Sequence, residues 1–355
     1  MQSSLLTAVA SSLLYALVFV APAEATFPGR NGKIVFSGVA DPKKPLERYL
    51  YTVNPTGSGL KKIGGGPGAS DPAWSPNMRR VVFARRPGSS RADVYIMSSK
   101  GGGVKRLTRF PGAEDKPAWL PDNRTISVAP RGIFEAPLAK FIGPPPCAPL
   151  RRGDCDEIHE NGAWTVGANG TGLTDLTAKY PQCRVRPTPT ELIEGGHLVK
   201  RCGGFGGFGT VWSPDGRKIA AFTPLDGVYV HNTDGTGQIG PIPPSVTTWL
   251  ESSYPDWSPD SRRIVFLGDK PPLCAAPGCG AIYTAAANGT DVRLVIAGKR
   301  VIGEAVWSPD GRKIALTLKT PGRRAAIYVI APNGTGLRRL TPRSMIAQTA
   351  DWGRR

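Results

Sequence analysis

Residues 306–315 read VWSPDGRKIA, and the same ten letters stand at 211–220. A third version, DWSPDSRRIVF, runs from Asp256 to Phe266. AWSPNMRRVVF around Trp74 and AWLPDNRTIS around Trp119 are looser, and ADWGRR around Trp352 is truncated. The six tryptophans, at 74, 119, 212, 257, 307 and 352, are spaced by 45, 93, 45, 50 and 45 residues. A recurrence near 45 residues marks small units that cannot bury their apolar faces alone and must stack on one another.

Each unit reads as four short strands, A to D. In residues 304–341, strand A is EAVW, and Ser308-Pro309-Asp310-Gly311 turns the chain, with Pro fixing φ and Gly relieving strain after it. Strand B is RKIALTL and strand C is AAIYVIA. Asn333-Gly334 then predicts a tight hairpin of type I′, in which both central residues need positive φ, into strand D, LRRLT. The same signal recurs at Gly57, Gly101, Asn169-Gly170, Asp234-Gly235 and Asn288-Gly289. Repeated four-stranded units of this length predict an all-β fold, a six-bladed β-propeller. Gly (44) and Pro (35) are dense enough for a turn every ten residues or so. The 93-residue gap makes the count seven if a degenerate blade hides in 131–207. Residues 31–38 match strand B without an A, and Trp352 is an A without its B, which predicts closure by a three-plus-one latch.

Residues 1–25 differ from the rest. An apolar run from Leu5 to Val20 and small residues at Ala23 and Ala25 predict a signal peptide, with the mature chain, 26–355, starting at Thr26 as a single propeller domain. A basic n-region is missing, and Pro22 and Glu24 close the run too early for a membrane anchor. Secretion or residence in the periplasm is the expected localisation.

The even count of cysteines agrees with export: Cys147, Cys155, Cys183, Cys202, Cys274 and Cys279. Six cysteines leave fifteen pairings open, of which neighbour pairing is the simplest. They fall in insertions near 130–160 and 179–207 and in a loop of the fifth unit. Zinc is not expected, since no C-x-x-C occurs and only three histidines are present. The net charge of +18 would attract anionic polymers, but its arginines are spread along the chain with no basic helix, so nucleic acid is not an expected partner.

These residues resemble the TolB-type propeller, a WD-like repeat family with units W-S-P-D-G-x-x-I-A-F … I-Y followed by G-T-G-L-x-x-L-T. The resemblance covers nearly the whole mature chain and is specific in four of six units. It implies an extracytoplasmic six-bladed scaffold that binds protein partners; the same repeat also gates prolyl-oligopeptidase-like enzymes. No α/β domain before the repeats and no hydrolase domain beside them is read in this sequence.

Strand alternation places the A–B and C–D turns on one rim and the long B–C and D–A connections, with all six cysteines, on the other. That long-loop face is the expected binding surface for a protein or cell-envelope component, with Arg151, Arg152, Phe205 and Phe208 as candidate contacts. Asp71 and Glu304, three residues before their tryptophans, and Asp115, four before, are expected at the mouth of the central channel. Such carboxylates could receive a basic peptide or a calcium ion, the one cofactor to consider; capping of turn amides is the plainer reading. Lys43, Lys44, Arg85, Arg86, Arg323 and Arg324 are expected to surround that mouth. No G-x-S-x-G, H-E-x-x-H or phosphate loop occurs, so a non-catalytic monomer is the expected form. The alternative is a metal-dependent hydrolase or quinone dehydrogenase-like enzyme centred on the channel. Three of the four N-x-T sequons are hairpin asparagines, so turn chemistry rather than glycosylation accounts for them.

Overall fold

The computed structural model describes residues 26–87, 92–109, 113–131, 164–175, 193–194, 197–198, 208–223, 227–242, 255–268, 280–298, 301–319 and 322–355. In chain order the first blade contributes β1 (Asn31–Val39), β2 (Tyr49–Val53) and β3 (Lys61–Gly64). Blade 2 is β4 (Ala69–Trp74), β5 (Arg80–Arg85), β6 (Asp93–Ser98) and β7 (Lys105–Arg106). Blade 3 is β8 (Ala113–Trp119), β9 (Thr125–Arg131), β10 (Trp164–Gly167) and β11 (Thr174–Asp175). The segment before blade 4 carries a two-stranded ribbon, β12 (Ile193–Glu194) and β13 (His197–Leu198). Blade 4 is β14 (Phe208–Trp212), β15 (Lys218–Thr223), β16 (Gly227–Asn232) and β17 (Ile239–Ile242). Blade 5 is β18 (Asp256–Trp257), β19 (Arg263–Gly268), β20 (Gly280–Ala286) and β21 (Arg293–Gly298). Blade 6 is β22 (Val301–Trp307), β23 (Ile314–Leu318), β24 (Ala326–Ile330) and β25 (Arg338–Arg339), and β26 (Ile346–Arg354) ends the chain.

β26 is hydrogen-bonded to β1, with Trp352 opposite Ile34 and Ala350 opposite Phe36. The first sheet is therefore β26-β1-β2-β3, and the latch is three strands from one end of the chain and one from the other. Six antiparallel four-stranded sheets result; the β12–β13 ribbon does not make a seventh.

The core lies between blades rather than at one centre. Separate apolar clusters fill the contacts of blades 1 and 2, 2 and 3, 4 and 5, 5 and 6, and 6 and 1. Trp74, Trp119, Trp257, Trp307 and Trp352 sit in these seams, and all six repeat tryptophans are buried, Trp257 completely. Indole Nε1 of Trp257 donates to the Val211 carbonyl at 3.1 Å, and that of Trp119 to the Ala73 carbonyl at 3.3 Å, each reaching the preceding blade. A B–C aromatic pair recurs as Phe36–Tyr51, Phe83–Tyr95 and Phe266–Tyr283, with ring centroids 5.8, 5.9 and 5.8 Å apart.

The repeated letters encode two turns. In the A–B turn, Ser308 Oγ donates to Asp310 Oδ1 (2.6 Å) and accepts from the Lys313 amide (2.8 Å), and Asp310 Oδ1 accepts from the Arg312 amide (3.0 Å). Ser213 with Asp215, Ser258 with Asp260 and Ser75 with Asn77 repeat it. The C–D turns differ from the type I′ expectation. The Gly334 amide donates to the Ala331 carbonyl and the Ala331 amide to the Thr335 carbonyl, both at 2.9 Å. Gly334 alone of the turn has positive φ (+83°), so this is a type I turn closed by a glycine bulge. In this turn Pro332 enforces the choice, its ring fixing the negative φ that a type I′ turn forbids; the turns at Gly101, Gly170, Gly235 and Gly289 adopt the same bonding without a proline there. Asn333 Oδ1 then accepts from the Thr335 amide (3.1 Å) and hydroxyl (2.8 Å), which explains the N-x-T pattern.

Candidate functional site

Strand A of every blade lines the central channel: Asp71 to Trp74, Lys116 to Trp119, Val211 and Trp212, Pro255 and Asp256, Glu304 to Val306, and Ala350 and Asp351. The cavity they enclose is small, about 110 Å³. Within these strands the ladder slips just before the tryptophan. The register breaks between Ser70 and Ala73, between Asp115 and Ala118, and between Val301 and Ala305. Asp71, Lys116 and Thr349 take positive φ (50°, 49° and 45°) at the position three before the tryptophan. Bulges of this kind re-aim a side chain.

The bulge decides which residues face the channel. Asp71 and Glu304 line it. In blade 3 the bulged residue is Lys116, while Asp115 stays in register opposite Ala129; the side chain of Asp115 lies outside the described residues. Lys116 Nζ meets Glu304 Oε1 at 2.5 Å. Blades 3 and 6 stand opposite each other in a six-membered ring, so this ion pair is a bar across the channel. Both side chains are mostly buried, 13% and 16% exposed, so the pair is poorly screened. The opening is thus a mixed-charge site rather than an acidic ring. Spacing alone missed Lys116, although its place three before Trp119 matches Asp71 and Glu304.

Two further carboxylates, immediately before their tryptophans, join neighbouring blades. Asp256 Oδ2 accepts from the Trp307 amide at 2.7 Å, and Asp351 Oδ2 from the Trp74 amide at 2.6 Å. Asp351 Oδ1 also accepts from its neighbour's amide, Trp352 N, at 2.8 Å. Burial pushes Asp256 up to about 7, helped by the charge of Asp351 and opposed by the amide bonds. Burial likewise pushes Asp351 up to about 6. Amide capping, the plainer role, is therefore what Asp256 and Asp351 perform, but for the next blade rather than for their own turn.

The remaining candidates are dispersed. Lys44 pairs with Glu47 at 3.0 Å, Arg85 Nε donates to the Pro67 carbonyl at 3.4 Å, and Arg324 donates to the Ser344 carbonyl at 2.8 Å. Phe208 opens β14 opposite Phe222 in the ladder. Arg151, Arg152, Phe205, the side chain of Phe208, the six cysteines and residues 1–25, expected to be a signal peptide, lie outside the described residues. The strand ends on either side of the insertions, β9 to β10, β11 to β14 and β19 to β20, all open onto the rim opposite the short A–B and C–D turns. Among the described residues no three His, Cys, Asp or Glu cluster closely enough to hold a metal. Nor is any described helix long and apolar enough to cross a membrane.

With this geometry in hand, comparison with known proteins is informative for the fold. TolB from Acinetobacter baumannii superimposes with a TM-score of 0.61 at 14% identity, covering 93% of this chain and 68% of that one. The fold is that of a TolB-type propeller. Hydrazine synthase of Kuenenia stuttgartiensis is similar over 92% of this chain and 47% of that one, with a TM-score of 0.55 and 14% identity. In sequence, 88 residues are 37% identical to a Bacillus subtilis (strain 168) protein named "Uncharacterized peptidase YuxL". That match spans 23% of this chain and only 13% of the relative's length. No family model matches the chain.

Proposed function

We propose that the chain is an exported, non-catalytic propeller that binds a protein or cell-envelope component through its long-loop face. The observation that carries this reading is the contrast between its centre and its rim. The channel cavity is about 110 Å³ and barred by the Lys116–Glu304 pair, below the roughly 300–1,000 Å³ of typical small-molecule pockets. One rim is made of short turns locked by their own Ser–Asp and Asn–Thr hydrogen bonds, which leaves recognition to the long connections on the other. The cysteines in those connections suit disulfides formed after export.

Capture from envelope extract tests it. Loss of the partner when Cys147 or Cys183 is replaced, but not when the A–B turns are altered, supports the long-loop face; unchanged capture contradicts it. Sequencing the N-terminus of the exported chain tests removal of residues 1–25. The channel carboxylates favour a second reading, a metal-dependent enzyme. Calcium raising the melting temperature by several degrees would support that reading, and no response would count against it.

A further inference from the structure

Thr26, the first residue after the signal segment, is bonded to the channel wall. Its Oγ1 donates to Asp256 Oδ2 at 2.9 Å, and the residue is 2% exposed. The chain behind it is pinned along its length. The Arg354 guanidinium lies over the buried Phe27 ring, 5.6 Å from its centroid. The Gly29 amide donates to the Pro309 carbonyl at 3.1 Å, and the Arg355 amide to the Arg30 carbonyl at 2.8 Å. Asn31 exchanges two bonds with Asp310, at 3.0 and 3.2 Å. Thr26 is thus held at the short-turn mouth of the channel.

Among the described residues the carboxylates there have no counter-ion. Asp256 is met by a hydroxyl and main-chain amides, and Asp351 by two amides; among the described residues no Lys or Arg forms an ion pair with either. The channel's one described ion pair commits Lys116 to Glu304. Two half-buried carboxylates that repel each other are costly when both are ionised.

We infer that Asp256 and Asp351 form a binding site for the chain's own α-ammonium, created when the peptide bond between Ala25 and Thr26 is hydrolysed. The inference rests on the proposed removal of residues 1–25. In the precursor the Thr26 nitrogen is an uncharged amide with one hydrogen. Hydrolysis leaves the carboxylate on the departing segment and converts that nitrogen into an ammonium with three donors, on the residue that already bonds Asp256. An α-amine ordinarily titrates near 7.7–8.0, and flanking carboxylates hold it protonated at neutral pH. Processing therefore places a compensating positive charge between two acids that repel each other and ties blade 5, and through Asp351 blade 1, to the chain's start. The mature ring is more stable than its precursor for this electrostatic reason.

The test compares a chain beginning at Thr26, released from a cleavable fusion, with one beginning at Ala23, each with and without Asp256→Asn. At pH 7 the Thr26 chain melts about 3–6 °C above the Ala23 chain, and the gap closes in Asp256→Asn. Acylation of the α-amine is about tenfold slower in the Thr26 chain than in its Asp256→Asn variant, or than in its own urea-unfolded state should that variant not fold. Equal melting of the two starting points, a gap that survives Asp256→Asn, or an amine as reactive folded as unfolded overturns the inference. An exported chain found to begin elsewhere refutes the processing reading alone, because the chain made to begin at Thr26 still reports on the site.

Discussion

Replacing Asp351 by asparagine should have an effect that depends on pH in a direction fixed by burial. The carboxylate accepts from the amides of Trp74 and Trp352, yet burial pushes it up from 3.8 to about 6. The folded state therefore binds more protons than the unfolded state between about pH 4 and 6, and this residue's contribution to stability falls as pH rises through that window. From pH 5 to pH 8 the difference integrates to roughly one pKa unit, about 1.4 kcal/mol, or about 2 °C in Tm for a chain of this size. Asparagine does not titrate and offers one carbonyl oxygen in place of two acceptors. At pH 5 the variant should lie below the wild type by about 1 kcal/mol, the cost of one weakened amide bond. At pH 8 it should match or slightly exceed the wild type. Thermal melts of both proteins across this range, in chains extended before Thr26 so that no α-ammonium faces the carboxylate, decide the matter. A wild-type advantage that is constant with pH, or that grows as pH rises, refutes the reasoning.

Breaking the cross-channel pair is expected to cost more than removing it. Lys116→Met and Glu304→Gln should each destabilise by about 2–4 kcal/mol, because each strands a mostly buried charge, whereas the double variant recovers much of the loss in a denaturant double-mutant cycle. A Cβ on Gly101 (φ +101°) would stand 1.8 Å from the Ile63 carbonyl oxygen, while one on Gly103 (φ +66°) would meet nothing within 4 Å. Gly101→Ala should thus cost well over 2 kcal/mol and Gly103→Ala about 1 kcal/mol, read from urea midpoints. Trp257→Phe forfeits a bond to the Val211 carbonyl, whereas Trp74 Nε1 has no partner among the described residues. Trp257→Phe should therefore be the costlier of the two Trp→Phe changes by about 1 kcal/mol, measured by calorimetry.

The ring itself was legible because its determinants repeat. Six tryptophans mark six blades, and the Ser-Pro-Asp and Asn-Gly-Thr letters each specify local hydrogen bonds that need no distant partner. The latch was also readable, since a B strand without an A and an A without a B can complete only each other. The hairpin type was misread although two turns carried a signal, for Pro55 and Pro332 sit where a type I′ turn requires positive φ; Ser99, Ala168, Thr233 and Ala287 give none in the other four. The channel was harder to read. The bulge falls on Lys116, three before Trp119, rather than on Asp115, and spacing cannot show that this lysine meets Glu304 across the ring. The bond between Thr26 and Asp256 joins residues 230 positions apart, and no local pattern announces it.

Ring closure is tested most directly by hydrogen exchange in β1, comparing the full chain with one ending at residue 345. If β26 completes the first blade, the β1 amides facing it, from Ile34 to Val39, lose most of their protection when residues 346–355 are absent, and a peptide of that sequence restores it. Protection in β1 that is indifferent to the presence of β26 would contradict a ring joined through its two ends.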